Sequence, residues 1–418
     1  MTRRAPRRTT ALAVAALLLS ACTGSGGETE GRAPASGPPV KHPVFGEKLD
    51  RQVFLALRRT QKTGGNARFT QTLTFTSKKG TAVQTVSGRL DFARGAGEAS
   101  IRWQVPKAYP EKVKDLLLGR APGRGQGDAS ARLYVDGQHI AFRAGSSGYW
   151  LRYAPSDPDA SRGDGDLDHL RGTEGPVGGT LLEGLGGTEA VSTSGGGAGR
   201  TYRAEMTSTA SSALLPDDVE GELGGEDLGF GLYREKEPFP VTVTVDDHGM
   251  ITHARADLSR LLGKKGSVLQ DVTALRMELT LSHIGSAGPV TGPRGTVLPA
   301  GTTVKPIWDV GPGRCVDFTT GQQDIELVAD IPCSRTHDGR LLAQTTFGGP
   351  AHPGADAAEK QARDACERAY DRAPGRWTDE ADEPGTHWYM WANERTWQQD
   401  GRGKAACYVV TPKGAARS

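Results

Sequence analysis

The sequence predicts an α+β chain: one large, curved antiparallel sheet with covering helices, followed by a small disulfide-stabilised α+β domain. Three observations carry this. Apolar side chains recur at every second position in a series of segments between Phe69 and Leu281. Four of the five cysteines, Cys315, Cys333, Cys366 and Cys407, fall in the last quarter of the 418 residues. Repeated Gly-Pro punctuation, at Gly288-Pro289 and Gly292-Pro293 with Gly295, Pro299 and Gly301, separates the two regions.

The N-terminal segment reads as an export signal. Arg3, Arg4, Arg7 and Arg8 precede a short apolar run over 11–19, too short to span a bilayer as a mature helix. It ends in Leu19-Ser20-Ala21-Cys22, which resembles the bacterial lipobox. That resemblance implies a diacylglyceryl group on Cys22 and cleavage before it. Two acyl chains hold a protein on a membrane where one does not. Residues 23–43, rich in Gly, Ser, Pro and Glu, read as a flexible tether. The predicted location is the extracytoplasmic face of the cell membrane.

Charge narrows the function. The chain has 51 basic and 49 acidic residues and no basic stripe, so no nucleic-acid partner is expected. Removing the four signal arginines leaves 47 basic residues against 49 acids, so bulk charge does not draw the mature chain to anionic headgroups.

Residues 44–284 form the predicted N-terminal domain. Leu49, Val53 and Leu57 share one helical face, with Asp50, Arg51, Arg58 and Arg59 on the other. The period then changes to two. Phe69, Gln71, Leu73 and Phe75 alternate with threonines; Val86, Gly88, Leu90 and Phe92 follow, then Ile101, Trp103 and Val105. Asp136-Gly137 between two apolar runs predicts a hairpin. Later strands are expected around Tyr149 to Tyr153, Thr201 to Met206, Val241 to Val245, Ile251 to Asp257 and Leu275 to Leu281, making nine or ten after a single helix. The stretches 119–128 and 154–179 are long, polar, Gly-rich insertions.

Three segments carry a family resemblance: Arg132-Leu133-Tyr134-Val135-Asp136-Gly137, Gly148-Tyr149-Trp150-Leu151, and the run from Phe239 to Gly249 with its Pro-Val-x-Val-x-Val-Asp pattern. With the lipobox, tether and opening helix, they resemble the LolA-like lipoproteins, in particular the LprG/LppX type of lipid-binding lipoprotein. The resemblance implies a half-barrel sheet with helices across its concave face and a lipid or other apolar ligand between them. Ligand sites there are apolar walls, so no ligand-binding residue is carried over.

Residues 285–306 read as a linker and 307–412 as a second domain, its core expected from two disulfides and five of the seven tryptophans: Trp308, Trp377, Trp388, Trp391 and Trp397. Four cysteines in an exported chain imply two disulfides. Three pairings are possible, and the sequential one, Cys315–Cys333 with Cys366–Cys407, is favoured. A zinc site is disfavoured because no two cysteines have the short spacing that puts both thiolates on one metal. Gly313-Arg314-Cys315-Val316-Asp317, then Pro332-Cys333-Ser334-Arg335-Thr336-His337-Asp338, an Ala/Cys helix around Cys366, and Trp388, Trp397 and Cys407 resemble the septum-formation domain of Gram-positive envelope proteins. This implies envelope or division proteins as partners, no enzymatic activity, and again the sequential pairing. Gly339-Arg340 replaces the usual acidic residue after His-Asp.

No catalytic residue, metal site or cofactor is predicted. His337-Asp338 beside Cys333 resembles hydrolase material, yet a disulfide removes the thiolate such chemistry needs. The expected role of His337 is a hydrogen bond in a turn, and His352 and His387 lack metal-ligand spacing. Phosphate-loop, zincin and serine-hydrolase motifs are absent. Asp164-Gly165-Asp166-Leu167-Asp168 begins like a calcium loop, but His169 and Gly175 break it. The reading is a non-enzymatic, membrane-anchored lipoprotein that binds an apolar ligand. The alternative is an envelope or cell-division interaction scaffold without a ligand.

Overall fold

The computed structural model describes residues 42–118, 130–145, 147–155, 170–195, 199–207, 214–224, 238–263, 266–320, 326–391 and 394–412. The signal, Cys22, most of the tether, the calcium-like loop and the 119–128 insertion lie outside these residues.

Helix α1 (Leu49–Gly64) buries Val53, Ala56, Leu57 and Thr60, the stripe read from the sequence extended by one turn. The chain then alternates. In β1 (Asn66–Ser77), Ala67, Phe69, Gln71, Leu73 and Phe75 are buried, while Arg68 and Thr70 between them are exposed. A strand buried on one face and wet on the other has this pattern. β2 (Gly80–Asp91), β3 (Ala96–Gln104), β4 (Ser130–Val135), β5 (Ile140–Ala144) and β6 (Tyr149–Tyr153) continue as a meander on one side of β1. On the other side β11 (Val272–Ser282) returns from the far end of the region to pair with β1, Phe69 opposite Leu281 and Phe75 opposite Leu275. Beyond it lie β10 (Ile251–Asp257), β9 (Phe239–Asp246), β8 (Gly199–Met206) and β7 (Glu189–Ser194).

The sheet is open. It runs to twelve strands, with β7 at one edge and β12 (Thr296–Pro299) at the other. β12 pairs in parallel with β6, the single parallel pairing of this sheet among the described residues. The stretch expected as a linker therefore carries a strand at its C-terminal end, followed by a helical turn with Ala300 and Thr303 buried. A parallel partner needs a crossover, and the Gly-Pro-rich run supplies one.

Three short helices were not expected: α2 (Glu111–Leu118), α3 (Leu181–Leu185) and α4 (Asp217–Gly224). Each is at most eight residues long, too short for a 3.6-residue period to show in a window. The strand β7 was also missed, because Ala190 is its one buried residue.

The C-terminal region forms a six-stranded sheet, in the order β13 (Val304–Pro306), β15 (Leu327–Ile331), β14 (Cys315–Asp317), β16 (Gly339–Phe347), β18 (Gly403–Val410) and β17 (Trp388–Trp391). Helix α5 (Ala355–Arg372) buries Ala358, Ala362, Ala365 and Cys366 against it. Two disulfides are present, Cys315–Cys333 and Cys366–Cys407, the second joining α5 to β18. The tryptophans do not gather into one core. Trp397 is wholly buried, but Trp388 and Trp391 are 45% and 36% exposed on the edge strand β17. An edge strand has sheet on one flank only, so its side chains are less fully covered.

One apolar core extends through the larger sheet and on into Ala300, Val304, Leu327, Ala329 and Ile331. The two sheets therefore share packing. Among the described residues, no helix is long and apolar enough to cross a membrane.

Candidate functional site

Helices α1 and α3 pack on the larger sheet. α1 lies against β7 and β10, and α3 against β10 and β11. α3 is tied down by a buried amide: Gln71 on β1 accepts from the Leu181 N–H at 2.7 Å and donates to the Gly179 carbonyl at 2.7 Å. The loop before α3 folds around Glu183, whose carboxylate accepts from the Thr173 hydroxyl and the N–H groups of Thr173, Glu174 and Gly175 at 2.8–2.9 Å. Burial raises the Glu183 carboxyl above its ordinary value, against the pull of those donors. Glu174 pairs with Arg58 of α1 at 2.9 Å, which joins loop to helix.

This loop also reaches β3. A Cβ on Gly97 would stand 2.5 Å from Val177 Cγ2, so only glycine lets the loop approach the strand there. At the far end of β3, Trp103 is buried, its ring 6.0 Å from Phe75. Tyr109 closes that end by donating to the Phe75 carbonyl at 3.0 Å.

Between these two ends the inner face of β2, β3 and β4 is less covered. The register places Gln71 beside Val86, Val86 beside Ile101 and Ile101 beside Ala131. They continue the face that holds Phe69, Leu73 and Phe75, yet Val86, Ile101 and Ala131 are only half-buried. Apolar residues in the middle of a helix-bearing face are normally sealed. Here α1 and α3 lie over the other half of the sheet, and these three side chains keep accessible surface. More half-buried apolar side chains, Val105, Leu116, Leu118, Leu261, Leu262 and Val268, follow the strand ends on the Trp103 side. Buried among them is Lys114 of α2, paired with Glu111 at 3.2 Å.

The second sheet holds a polar cluster. Cys315, His337 and Glu380 bring one sulfur, one ring nitrogen and one carboxylate oxygen within 4.8 Å of one another. Cys315 is in a disulfide and offers no thiolate. Arg340 engages both Glu380 oxygens, at 2.7 and 2.8 Å. These residues do not make a cation site: one donor is oxidised and another is neutralised by a guanidinium. His337 sits in the turn as expected, Nδ1 donating to the Arg335 carbonyl at 2.8 Å. His352 stands edge-on to the Trp397 ring and His387 against Tyr370.

The sequence reading missed Asp317. Its side chain is buried and accepts from the Ser147 hydroxyl at 2.8 Å and from the Tyr149 hydroxyl at 3.0 Å. Tyr153 donates nearby to the Thr320 carbonyl. Thus β6 of the first sheet and β14 of the second meet through a buried carboxylate. The signal available was chemical: Asp317 and Tyr149 stand in the two motifs that carried separate family resemblances, and nothing in one dimension connects them.

No protein-family model and no curated protein matches this chain. Solved structures give weak likenesses. The lipoprotein LppX of Mycobacterium tuberculosis is 17% identical, with a TM-score of 0.26, over 57% of this chain and 97% of that one. A DUF1329-family protein from Desulfovibrio piger is 7% identical, with a TM-score of 0.24, over 59% and 96%. A LolA-superfamily protein from Nitrosomonas europaea is 7% identical, with a TM-score of 0.22, over 58% and 96%. Such scores assign neither activity nor ligand.

Proposed function

We propose that this chain is an envelope lipoprotein, anchored through an acylated Cys22, that holds a lipid or other apolar ligand on the inner face of β2, β3 and β4. The observation that carries the reading is the half-buried row Val86, Ile101 and Ala131 on the face that buries Phe69, Leu73 and Phe75. Apolar surface left accessible in the middle of a sheet is stabilised by an apolar occupant at about 25 cal/mol per Å² removed from water. The half-buried leucines of α2 and of the 261–262 turn give the ligand an apolar way in. The chemistry is binding without turnover, and the C-terminal region, residues 307–412, acts as a module for envelope or division proteins.

Native mass spectrometry of residues 41–418 tests the reading, followed by solvent extraction of what accompanies the chain. A lipid mass that is lost on extraction and restored on re-addition supports it. A chain that stays bare in a lipid mixture refutes it.

One observation favours the scaffold alternative. Trp388 and Trp391 are exposed on the edge strand β17, where a partner could bury them. Under that reading the bare chain would still bind an envelope protein, and Trp391→Ala would weaken the contact.

A further inference from the structure

His337 carries a buried atom that the rest of the fold does not use. Its side chain is 1% exposed. Nδ1 is committed to the Arg335 carbonyl, so Nδ1 holds the proton of the neutral ring and Nε2 carries the lone pair. Among the described residues Nε2 has no hydrogen-bond partner. A buried polar atom left so in a native structure calls for an explanation. The ring is held firmly, since the His337 carbonyl accepts from the Thr411 hydroxyl and the neighbouring Asp338 carbonyl from the Thr411 N–H. Its neighbours are the Cys315 sulfur and Glu380, whose carboxylate lies 3.9 Å from Nε2.

The two sulfurs of this disulfide differ. Cys315 is wholly buried, while Cys333 is half-buried on the adjoining turn. The other disulfide offers no such access, because Cys366 and Cys407 are both wholly buried. Exchange depends on which sulfur can be attacked and on how well the other leaves, and here one sulfur is accessible while the other is shielded beside an imidazole nitrogen.

We propose that Cys315–Cys333 is a thiol–disulfide exchange site for a dithiol reductant, with His337 as the proton partner of Cys315. A thiol of the dithiol gives up its proton to the Nε2 lone pair, and the thiolate so formed attacks the Cys333 sulfur. The Cys315–Cys333 bond breaks, its electron pair leaves on the Cys315 sulfur, and that sulfur takes a proton from Nε2 of the imidazolium. The dithiol's second thiol then attacks the mixed disulfide and releases Cys333. The dithiol is oxidised by two electrons to its disulfide, and its two protons end on Cys315 and Cys333. Glu380, held by Arg340, lies 3.9 Å from Nε2. Cys315 and Asp317 share β14, so exchange acts on the strand that meets Ser147 and Tyr149.

The test treats the folded chain with graded dithiothreitol, traps free thiols with iodoacetamide, and maps them by mass. Cys315 and Cys333 are expected to be alkylated while Cys366 and Cys407 remain joined. In His337→Gln, opening of Cys315–Cys333 is expected to slow by about tenfold, as for a leaving thiolate that has lost its stabilising neighbour. Should that variant not fold, the unaltered chain decides. There, opening of Cys315–Cys333 with Cys366–Cys407 still joined is the deciding readout. Simultaneous opening of both disulfides would overturn the proposal. So would a His337→Gln rate equal to that of the parent.

Discussion

The Tyr149 hydroxyl donates to the Asp317 carboxylate at 3.0 Å, bridging 168 positions of sequence and two sheets. Ser147 donates to the same oxygen at 2.8 Å, and the Thr319 N–H to the other at 3.0 Å. A hydrogen bond to a charged acceptor contributes about 1.5–3 kcal/mol. Tyr149→Phe should lower unfolding stability by about that amount while keeping the ring packed. Asp317→Ala should cost more, because two buried hydroxyls lose their acceptor together. Urea unfolding followed by tryptophan fluorescence measures both. Parental midpoints in both variants would mean that the contact contributes nothing.

The same pair makes stability depend on pH at the alkaline end. Burial, and then the negative charge of Asp317, raise the Tyr149 hydroxyl above its ordinary value of 10.0. The folded state therefore holds this proton more tightly than the unfolded state. Its contribution is complete below about pH 10 and is lost as pH climbs, by about 1.4 kcal/mol per unit while the unfolded tyrosine alone is ionised. The stability gap between the parent and Tyr149→Phe should narrow from pH 10 to pH 11. A gap of constant width would show that Tyr149 ionises alike in both states.

Gln71 offers a different test, since it is the one polar side chain among the buried inner positions of β1. Its amide holds both the start of α3 and the Gly179 carbonyl. Gln71→Leu keeps the apolar face but strands a buried N–H and a buried carbonyl, at about 1–3 kcal/mol for each unsatisfied group. The loss should be local. Hydrogen exchange should speed at Leu181 to Leu185 well before it does at the centre of β1. Uniform acceleration over the whole sheet would mean that Gln71 supports the global fold instead.

The strands were legible because one face is wet and the other dry. Through most of β1, and in β11 from Leu275 on, every second residue is buried, and the sequence shows the same alternation. The helix around Cys366 was legible for the matching reason, its alanines falling on one face. The covering helices α2, α3 and α4 were not. They are short, and their positions are set by contacts such as Gln71 with Leu181, which no periodicity encodes. The less-covered patch was hidden in another way. Val86 and Ile101 read like any inward strand residue; only the placement of α1 and α3 over the opposite half of the sheet leaves them half-buried. Apolar walls were expected, but which residues form them depends on the helices.

Ile101 separates a ligand site from a core position. It is half-buried between Val86 and Ala131, whereas Leu73 on the same face is 1% exposed. A carboxylate can keep its water at a half-buried position but not in a sealed core, where an unpaired charge is expensive. Ile101→Glu should therefore lower the unfolding midpoint only slightly, within about 1 kcal/mol, and abolish uptake of an apolar fluorescent probe such as a naphthalene sulfonate or a dansylated fatty acid. Leu73→Ala should behave in the opposite way, costing about 2–5 kcal/mol through cavity formation. If Ile101→Glu unfolds the chain as severely as Leu73→Ala, the patch is core, and the inner face of β2 to β4 has no room for a ligand.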